Sequence, residues 1–261
     1  MKHFATKSGR ADGAKNLAYA DLKEAVLVKV DLQCVDLFMA DLRSADLTES
    51  QLQGADLSNA DLSWSTLIRA NLTDAILLDA NLVGADLSHS ILRNTNLTYS
   101  NLSWARLESA DLTNACLSHA NLYKVNFCKA TLDQSNLREA NVMESNLKSA
   151  SLTDSNMFQT ALKDVALRGA NLARANLTNA NLAGADLTDA DLEDAILIGA
   201  NLSWANLQGA NLHGANLFGA LLLNTHFQKA DLSFTTMTRT QWQPLESDAT
   251  IVGKPFITDR G

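Results

Sequence analysis

A five-residue repeat without insertions dominates the chain. Residues 170 to 219 read as ten pentapeptides, ANLAR-ANLTN-ANLAG-ADLTD-ADLED-AILIG-ANLSW-ANLQG-ANLHG-ANLFG. The same register extends from Leu17 to Met237, which makes (237 − 17)/5 + 1 = 45 units. We call the central residue of each unit position i. It is Leu in forty units, and the others have Phe127, Val142, Met157, Phe227 and Met237. Position i−2 is Ala, Ser, Thr or Val in every unit except the first, which has Lys15.

A period of five fits neither the 3.6-residue period of an α-helix nor the two-residue alternation of a strand. Repetition at a fixed short period is typical of a solenoid. Residues i−2 and i lie two apart on an extended segment, so both can face one interior. Gly, Asn and Asp are frequent at i+2, which suits a turn with positive φ. The repeat therefore predicts a polygonal coil with one turn in every unit.

Recurring motifs indicate how many units make one coil. Ser-Trp pairs end at Trp64, Trp104 and Trp204, with spacings of 40 and 100 residues. The apolar segments that begin at Ala75 and Ala195 are 120 residues apart. All three spacings are multiples of 20, whereas 40 and 100 are not multiples of 15. The motifs thus favour four pentapeptides per coil over three.

The A(D/N)LXX pattern over residues 15 to 239 resembles the Leu-centred pentapeptide-repeat proteins. The resemblance implies an all-β fold, a right-handed quadrilateral parallel β-helix with about eleven coils of four pentapeptides. We expect residues 17–239 to form the β-helix. We expect residues 1–16 to form an N-terminal cap or a disordered segment, and residues 240–261 to form a C-terminal cap or tail, because the end strands of a stacked sheet need cover.

The C-terminal tail leaves the repeat after Pro244, although Trp242 is still in phase with the inward row. Its apolar residues are Ile251, Val252, Phe256 and Ile257. Two interpretations remain open for them. They cap the last coil, or they form the contact of an end-to-end dimer. The chain is accordingly expected to be a monomer or such a dimer.

The net charge of −8 is unevenly distributed. Residues 31–90 contain ten acids against Arg43 and Arg69, and residues 181–228 contain five acids and no Lys or Arg, whereas residues 91–180 contain seven acids and nine bases. With twenty residues per coil, acids that are twenty positions apart stack on neighbouring coils. They form an acidic ladder with a spacing of about 4.8 Å, at which like charges repel. Its members are Asp21, Asp41 and Asp61 on one side, and Asp36 and Asp56 on another.

Two interpretations of these acids remain open. They keep the rod soluble, or they mimic the charge of DNA. Some members of the resembled family bind type II topoisomerases as DNA mimics and protect them from quinolones. This chain departs from those members because Phe is central at only two positions, loop insertions are absent, and a basic middle third interrupts the acidic regions.

Two rows of outward apolar residues are candidate contact surfaces. A Trp edge comprises Trp64, Trp104 and Trp204 at i+2, which either pack over neighbouring coils or contact a protein. A candidate partner face comprises the i+1 residues Phe38, Leu78, Phe158, Ile198 and Phe218 with the i−1 residues Ile76 and Ile196. The second row is the better candidate, because Ile replaces the usual Asp or Asn.

The sequence contains no evident catalytic or metal site. The five histidines fall at five different positions of the coil, and none shares an evident face with Cys34, Cys116 or Cys128, so three or four metal ligands do not converge. The glycines recur at i+2 as turns demand, rather than in a phosphate-binding loop. A solenoid with a filled interior is also expected to lack a concave pocket. We therefore expect no enzyme activity and no cofactor.

The first sixteen residues lack the apolar core of a signal peptide, and no run is long enough to span a membrane. Together with the cysteine spacing, this favours the cytoplasm. We predict a non-enzymatic protein-interaction rod or scaffold that contacts neither nucleic acid nor membrane directly. The alternative is a DNA-mimicking topoisomerase (gyrase) binder that gives quinolone protection.

Overall fold

The computed structural model describes residues 16–258 and shows a four-sided parallel coil. Each i−1 residue pairs in parallel with the residue twenty positions later, so that one ladder runs in eleven bridges from Asn16 to Thr236. We call this side 1, and the ladders that begin at Asp21, Val26 and Asp31 are sides 2, 3 and 4. The predicted fold class and the predicted four units per coil are confirmed. The segment predicted for residues 1–16 lies outside the described residues except for Asn16.

Every unit repeats one hydrogen-bond pattern, which the unit of Leu37 illustrates. The N–H of Leu37 donates to the carbonyl of Asp56 at 2.7 Å, and the N–H of Met39 donates to the carbonyl of Ser58 at 3.0 Å. The N–H of Ala40 closes the turn on the carbonyl of Leu37 at 3.0 Å. The first two bonds join neighbouring coils along the rod axis, so the sides use their backbone donors and acceptors internally.

The interior of the coil is filled by residues i and i−2. Every central residue from Leu22 to Leu217 is buried. In the irregular region 123–167, the substituted residues Phe127, Val142 and Met157 have no exposed surface, and the bridge ladders continue through it. The substitutions are therefore repacking within an unchanged coil, in keeping with the tolerance of cores for apolar exchanges.

Buried hydroxyl groups at i−2 bond to backbone carbonyls. Ser65 Oγ donates to the carbonyl of Leu62 at 2.6 Å, and Thr160 Oγ1 donates to the carbonyl of Leu137, one coil earlier, at 2.9 Å. By contrast, the buried Oγ atoms of Ser50 and Ser155 have no hydrogen-bond partner among residues 16–258. Those two positions lack the compensation that a buried polar group normally has.

Position i+2 has a positive φ in every unit from Tyr19 to Phe234, which are (234 − 19)/5 + 1 = 44 positions. The predicted turn is therefore confirmed, but only eight of these residues are glycine. Bulky residues such as Trp64, with a φ of 60°, adopt the same conformation. The closing turn bond and the inter-coil bond of the i+2 N–H fix this conformation, although it costs of order 1 kcal/mol in a residue with a β-carbon.

The C-terminal segment leaves the coil through a short helix. Strand β1 (Thr236–Thr238) is followed by helix α1 (Arg239–Trp242) and later by strand β2 (Phe256–Thr258), which pairs in parallel with β1. Trp242 is nearly buried, but it lies in α1 rather than in a further pentapeptide. Gln241 Nε2 donates to the carbonyls of Leu217 and Ala220 at 2.8 and 2.9 Å.

Two sides of the last coil are paired with this segment. Val252 bridges to Asp231 on side 4, and β2 covers side 1. On side 2, Leu221 and Leu223 are 58% and 64% exposed, and no described residue pairs with that strand from above. Within the described residues, no helix is long and apolar enough to cross a membrane.

Candidate functional site

The outward Asp and Asn residues at i−1 have a local structural role. Asp36 Oδ1 accepts the backbone N–H of Phe38 at 3.0 Å, and Asn71 Oδ1 accepts that of Thr73 at 3.1 Å. The same i−1 to i+1 bond recurs on all four sides. Such side chain-to-backbone bonds are characteristic of Asp and Asn in turns. Much of the acidic content of the chain is therefore explained by the fold itself.

The acids of the ladder stack as predicted, but on side 2 an arginine partly neutralises their charge. Asp21, Asp41 and Asp61 are bridged in succession on side 2. Arg43 forms a two-pronged pair with Asp41, with one N–O distance of 2.8 Å, and lies 4.0 Å from Asp61. The hydrogen bond from Arg43 holds the pKa of Asp41 below its usual value. Arg43 thus offsets the expected repulsion among the acids of side 2. Asp36 and Asp56 stack on side 1, where the adjacent outward residues are the uncharged Phe38 and Ser58.

Of the nine bases in the middle third, five form ion pairs with acids of neighbouring coils. Arg174 Nε and Asp154 Oδ1 are 2.8 Å apart, and Lys124 Nζ and Glu144 Oε2 are 3.2 Å apart. In both pairs the partners are twenty residues apart, so the cation lies directly above or below its acid. Each is an exposed pair whose contribution to stability is small.

The three Trp residues share one corner but do not form a continuous surface. Trp64, Trp104 and Trp204 are 65%, 55% and 66% exposed. The ring of Trp64 lies over Gly84, one coil further along. Trp104 contacts the edge of Tyr123, and Lys124 Nζ lies 4.7 Å from its ring centroid. Trp64 and Trp104 therefore pack over residues of neighbouring coils.

The candidate partner face lies on side 1, and its members divide into patches. Ile196 and Ile198 are 39% and 36% exposed, and Phe218 in the next coil is 36% exposed. We call these three residues the upper patch. Ile76, which is 41% exposed, and the half-buried Leu78 form the lower patch.

The remaining two residues of the predicted face are engaged by neighbours. The ring of Phe38 packs edge-on against Tyr19, with 5.7 Å between centroids. The guanidinium of Arg138 lies 4.9 Å from the ring centroid of Phe158. The structure therefore brings together Ile196, Ile198 and Phe218, and separately Ile76 and Leu78, but not the whole row.

Further exposed apolar residues lie near the C-terminal end, and of these Leu221, Leu223 and Phe234 were not predicted as contact residues, whereas Phe256 belongs to the tail predicted to cap the coil or to form a dimer contact. On side 2, Leu221 and Leu223 are the most exposed leucines. Around the corner of sides 4 and 1, Phe234 and Phe256 pack together with 5.6 Å between ring centroids. The signal for the leucine pair was present in the sequence, since Leu221 replaces the usual Asp or Asn at i−1.

The outer surface of the rod, unlike its filled interior, has a shallow, open groove of about 320 Å³ on side 4, where Gly209 lies between the longer side chains above and below. Its lining residues are Glu193, Gly209, Ala210, Asn211, His213 and Asp231. Among the described residues, no three His, Cys, Asp or Glu side chains are arranged to hold a metal ion.

The three cysteines are free thiols on different parts of the coil. Cys116 Sγ lies 3.2 Å from Thr98 Oγ1 and 3.6 Å from Ser118 Oγ. Partial burial alone would raise the pKa of this thiol, but hydrogen bonds from Thr98, Ser118 and Asn136 outweigh it and lower the pKa. No acid–base partner for a reaction lies among these contacts.

Comparison with protein families gives one match, to pentapeptide repeats in eight copies. The copies together cover most of the coil, at residues 39–63, 55–94, 75–114, 92–122, 120–159, 161–197, 185–222 and 205–240. A search of curated proteins finds no match.

Among solved structures, the chain is similar to HetL, a pentapeptide repeat protein involved in heterocyst differentiation regulation from the cyanobacterium Nostoc sp. strain PCC 7120. The identity is 35% over 74% of this chain and 89% of HetL, with a TM-score of 0.49. Rfr23 from the cyanobacterium Cyanothece 51142 is 34% identical over 42% of this chain and 64% of its own, with a TM-score of 0.33. QnrB1, a plasmid-mediated fluoroquinolone resistance protein, is 16% identical over 66% of this chain and 91% of its own, with a TM-score of 0.34.

Proposed function

Because this chain belongs to the pentapeptide-repeat family, whose members are right-handed quadrilateral β-helices, we propose that it is a non-enzymatic interaction rod that binds another protein through side 1. The upper patch is the observation that carries this proposal. Ile196, Ile198 and Phe218 are exposed apolar side chains on two consecutive coils. Contiguous exposed apolar residues are a common feature of protein contact sites.

The chemistry of the replaced position supports the proposal. At i−1, Asp or Asn normally accepts the N–H of residue i+1, as Asn216 accepts that of Phe218 at 3.0 Å. Ile196 has no side-chain acceptor for the N–H of Ile198. The substitution gives up a hydrogen bond of about 1 kcal/mol and exposes apolar surface to water. The lost hydrogen bond favours neither the free nor the bound rod, but exposed apolar surface is unfavourable in an isolated rod and suits a surface that is covered by a partner.

The proposal assigns the chain no reaction, no cofactor and no direct contact with nucleic acid or membrane. Its place of action is the cytoplasm, because three free thiols suit a reducing compartment. It acts as a monomer, or as a dimer joined end to end through the C-terminal tail.

Affinity capture with matched variants tests this proposal. The wild type, the variant Ile198→Ser/Phe218→Ser, and the control Thr178→Ala in the same row are used as bait under identical conditions. We expect the control to capture the same protein as the wild type and the double variant to lose it. Retention of the same partner by the double variant, with an unchanged thermal unfolding curve, would refute the role of side 1.

A second candidate function is that of a DNA mimic that binds a topoisomerase, in particular gyrase. Binding would protect the topoisomerase from quinolones. The stacked carboxylates Asp36 and Asp56, together with a stretch from 175 to 228 that lacks Lys and Arg, favour it. Regular negative charge could compete for a basic DNA-binding groove through long-range electrostatics. Compensation of Asp41 by Arg43 and the paired charges of the middle third count against it.

A gyrase supercoiling assay at low and moderate salt tests the mimic. Salt-sensitive inhibition or quinolone protection by the wild type, weakened in Asp36→Asn/Asp56→Asn, would support it. No effect at micromolar protein would remove this candidate and leave the interaction rod.

A further inference from the structure

Side 1 carries the same motif twice. The segments DAILL, from Asp74 to Leu78, and DAILI, from Asp194 to Ile198, differ only in their last residue. Both place Ile at i−1 and a large aliphatic residue at i+1, and the ladder of side 1 connects Ile76 to Ile196 in six steps. At about 4.8 Å per coil, the two motifs are about 29 Å apart along the rod. They are related by translation and have the same orientation.

The two motifs share their surroundings as well as their sequence. Ile76 and Ile196 are similarly exposed, at 41% and 39%. Each is preceded by an exposed corner carboxylate, Asp74 or Asp194. Further acids lie beside both, Asp79 at the next corner of the lower motif and Glu193 on side 4 beside the upper one. Both apolar pairs thus have acids beside them, and the one cation on the corner of Asp194 in the preceding coil, Arg174, is paired with Asp154.

The side between the motifs is mostly polar and uncharged. Its outward residues include Thr98, Ser118 and Thr178, and Arg138 is the one basic residue on it. Phe158 lies four coils beyond Leu78, at about 19 Å, and two coils before Ile198. A partner that spans both motifs therefore meets an aromatic ring on the way, beside the guanidinium of Arg138.

We infer that the two motifs are the ends of one docking site for a single amphipathic α-helix of a partner protein, about 20 residues long, with apolar residues facing side 1 and basic residues on its flanks. This inference rests on the proposed function and names the partner element for that side. Helices that lay an apolar face on a complementary surface are a common recognition mode. The basic flanks follow from the acids at both ends of the site.

The spacing fits a helix. Eighteen residues make five full turns and about 27 Å, so two anchors that are 18 residues apart point to the same side and match the distance between the motifs. A third anchor eleven residues after the first lies near Phe158. A closed dimer relates its two copies by rotation, so it would not present two matching elements to two sites that are related by translation.

Backbone chemistry also favours a helix over an extended segment. The N–H and C=O groups of side 1 that face neighbouring coils are used in bonds between coils, as between Leu77 and Asn96 at 2.7 Å and between Leu197 and Asn216 at 2.7 Å. An extended segment lying along the rod would find no free edge there and would leave its own backbone groups unpaired. A helix satisfies its backbone internally.

Binding of synthetic peptides, followed by fluorescence anisotropy, tests the inference. The probe is a helical peptide of about 24 residues with three Leu anchors, the second and third placed 11 and 18 residues after the first, on an Ala, Gln and Lys background. One control peptide has the third anchor moved by two residues, which turns it by about 200°. Another control is truncated to the first half.

The long probe is expected to bind at least about tenfold more tightly than either control, because its two ends bind in one event. Ile76→Ser/Leu78→Ser and Ile196→Ser/Ile198→Ser should each remove this gain, and Leu221→Ser/Leu223→Ser on side 2 should not. Equal affinity of the long and shifted peptides, or insensitivity to either motif, would overturn the single-helix site. If that happens while Ile198→Ser/Phe218→Ser still abolishes partner capture, the interaction rod stands and only the helix is wrong.

Discussion

The indole ring of Trp64 occupies the space that a β-carbon on Gly84 would take, although the two residues belong to different coils. Gly84 has a φ of 67°, but left-handed backbone does not by itself explain the glycine, because 36 other corner residues adopt it with a side chain. The close approach of the ring supplies the explanation. At this corner, glycine is required by its neighbour more than by its own turn.

Gly84→Ala is therefore expected to destabilise the coil more than Gly219→Ala. Both positions have positive φ, but a β-carbon at Gly219 would meet no atom within 4 Å. We expect Gly219→Ala to cost about 1 kcal/mol from backbone strain and Gly84→Ala about 1–3 kcal/mol more from overpacking. Thermal unfolding gives both values. If Trp64→Ala does not reduce the excess cost in a double-mutant cycle, the steric explanation fails.

Ser50→Ala is expected to raise the stability of the rod. The buried hydroxyl of Ser50 has no partner among the described residues, so its removal relieves about 1 kcal/mol of desolvation cost. Ser65→Ala is the matched control, because Ser65 donates to the carbonyl of Leu62. Denaturant unfolding should show a gain for the first variant and none for the second. Equal effects would mean that Ser50 is hydrogen-bonded in solution.

Leu107→Asp should cost several kcal/mol, because Leu107 has no exposed surface and the change places an unpaired carboxylate in the middle of the column. Asn114→Asp, at the exposed corner that ends the next side of the same coil, is the control and should change stability by less than about 0.5 kcal/mol. Circular dichroism against temperature measures both. An unchanged transition for Leu107→Asp would contradict the inward assignment of position i.

Acid should weaken the rod partly through Asp111. Burial tends to raise the pKa of this carboxyl, but hydrogen bonds from Thr113 and Arg93 outweigh it and lower the pKa. A lowered folded-state pKa contributes stability above the unfolded value of about 3.9, and this stability is lost as pH falls through the folded pKa. The melting temperature of Asp111→Asn should thus fall less between pH 6 and pH 3 than that of the wild type.

Asp79→Asn is the comparison for the acid experiment, since Asp79 is exposed and forms no ion pair with any described residue. If Asp111→Asn and Asp79→Asn lose the same stability in acid, the bonds from Arg93 and Thr113 do not determine the effect.

The period of the sequence was enough to predict the fold and the side on which each residue lies, because a coil of twenty residues maps sequence position directly onto a side. It places Ile76 and Ile196 on one side, as the ladder of side 1 confirms. It could not predict which outward residues are covered, since that depends on side-chain contacts between coils. Arg138 over Phe158 and Arg43 between Asp41 and Asp61 are such contacts.

Two other features were also beyond the repeat. The groove on side 4 lies at Gly209, between Glu193 and Asp231 of the neighbouring coils, and depends on the sizes of outward side chains, which the inward pattern does not register. Helix α1 forms after the repeat has ended, through a capping box between Thr238 and Gln241. Thr and Gln three residues apart are a recognisable helix start, but the in-phase Trp242 favoured another pentapeptide.

Photocrosslinking from two opposite sides of the same region measures the central claim most directly. A photoreactive amino acid replaces Phe218 on side 1 or Gln208 on side 3, both of which are exposed. The interaction-rod account predicts a crosslinked partner protein from position 218, and none from position 208, in the cell that expresses the chain. Crosslinks of equal yield from both positions, or from position 208 alone, would contradict it.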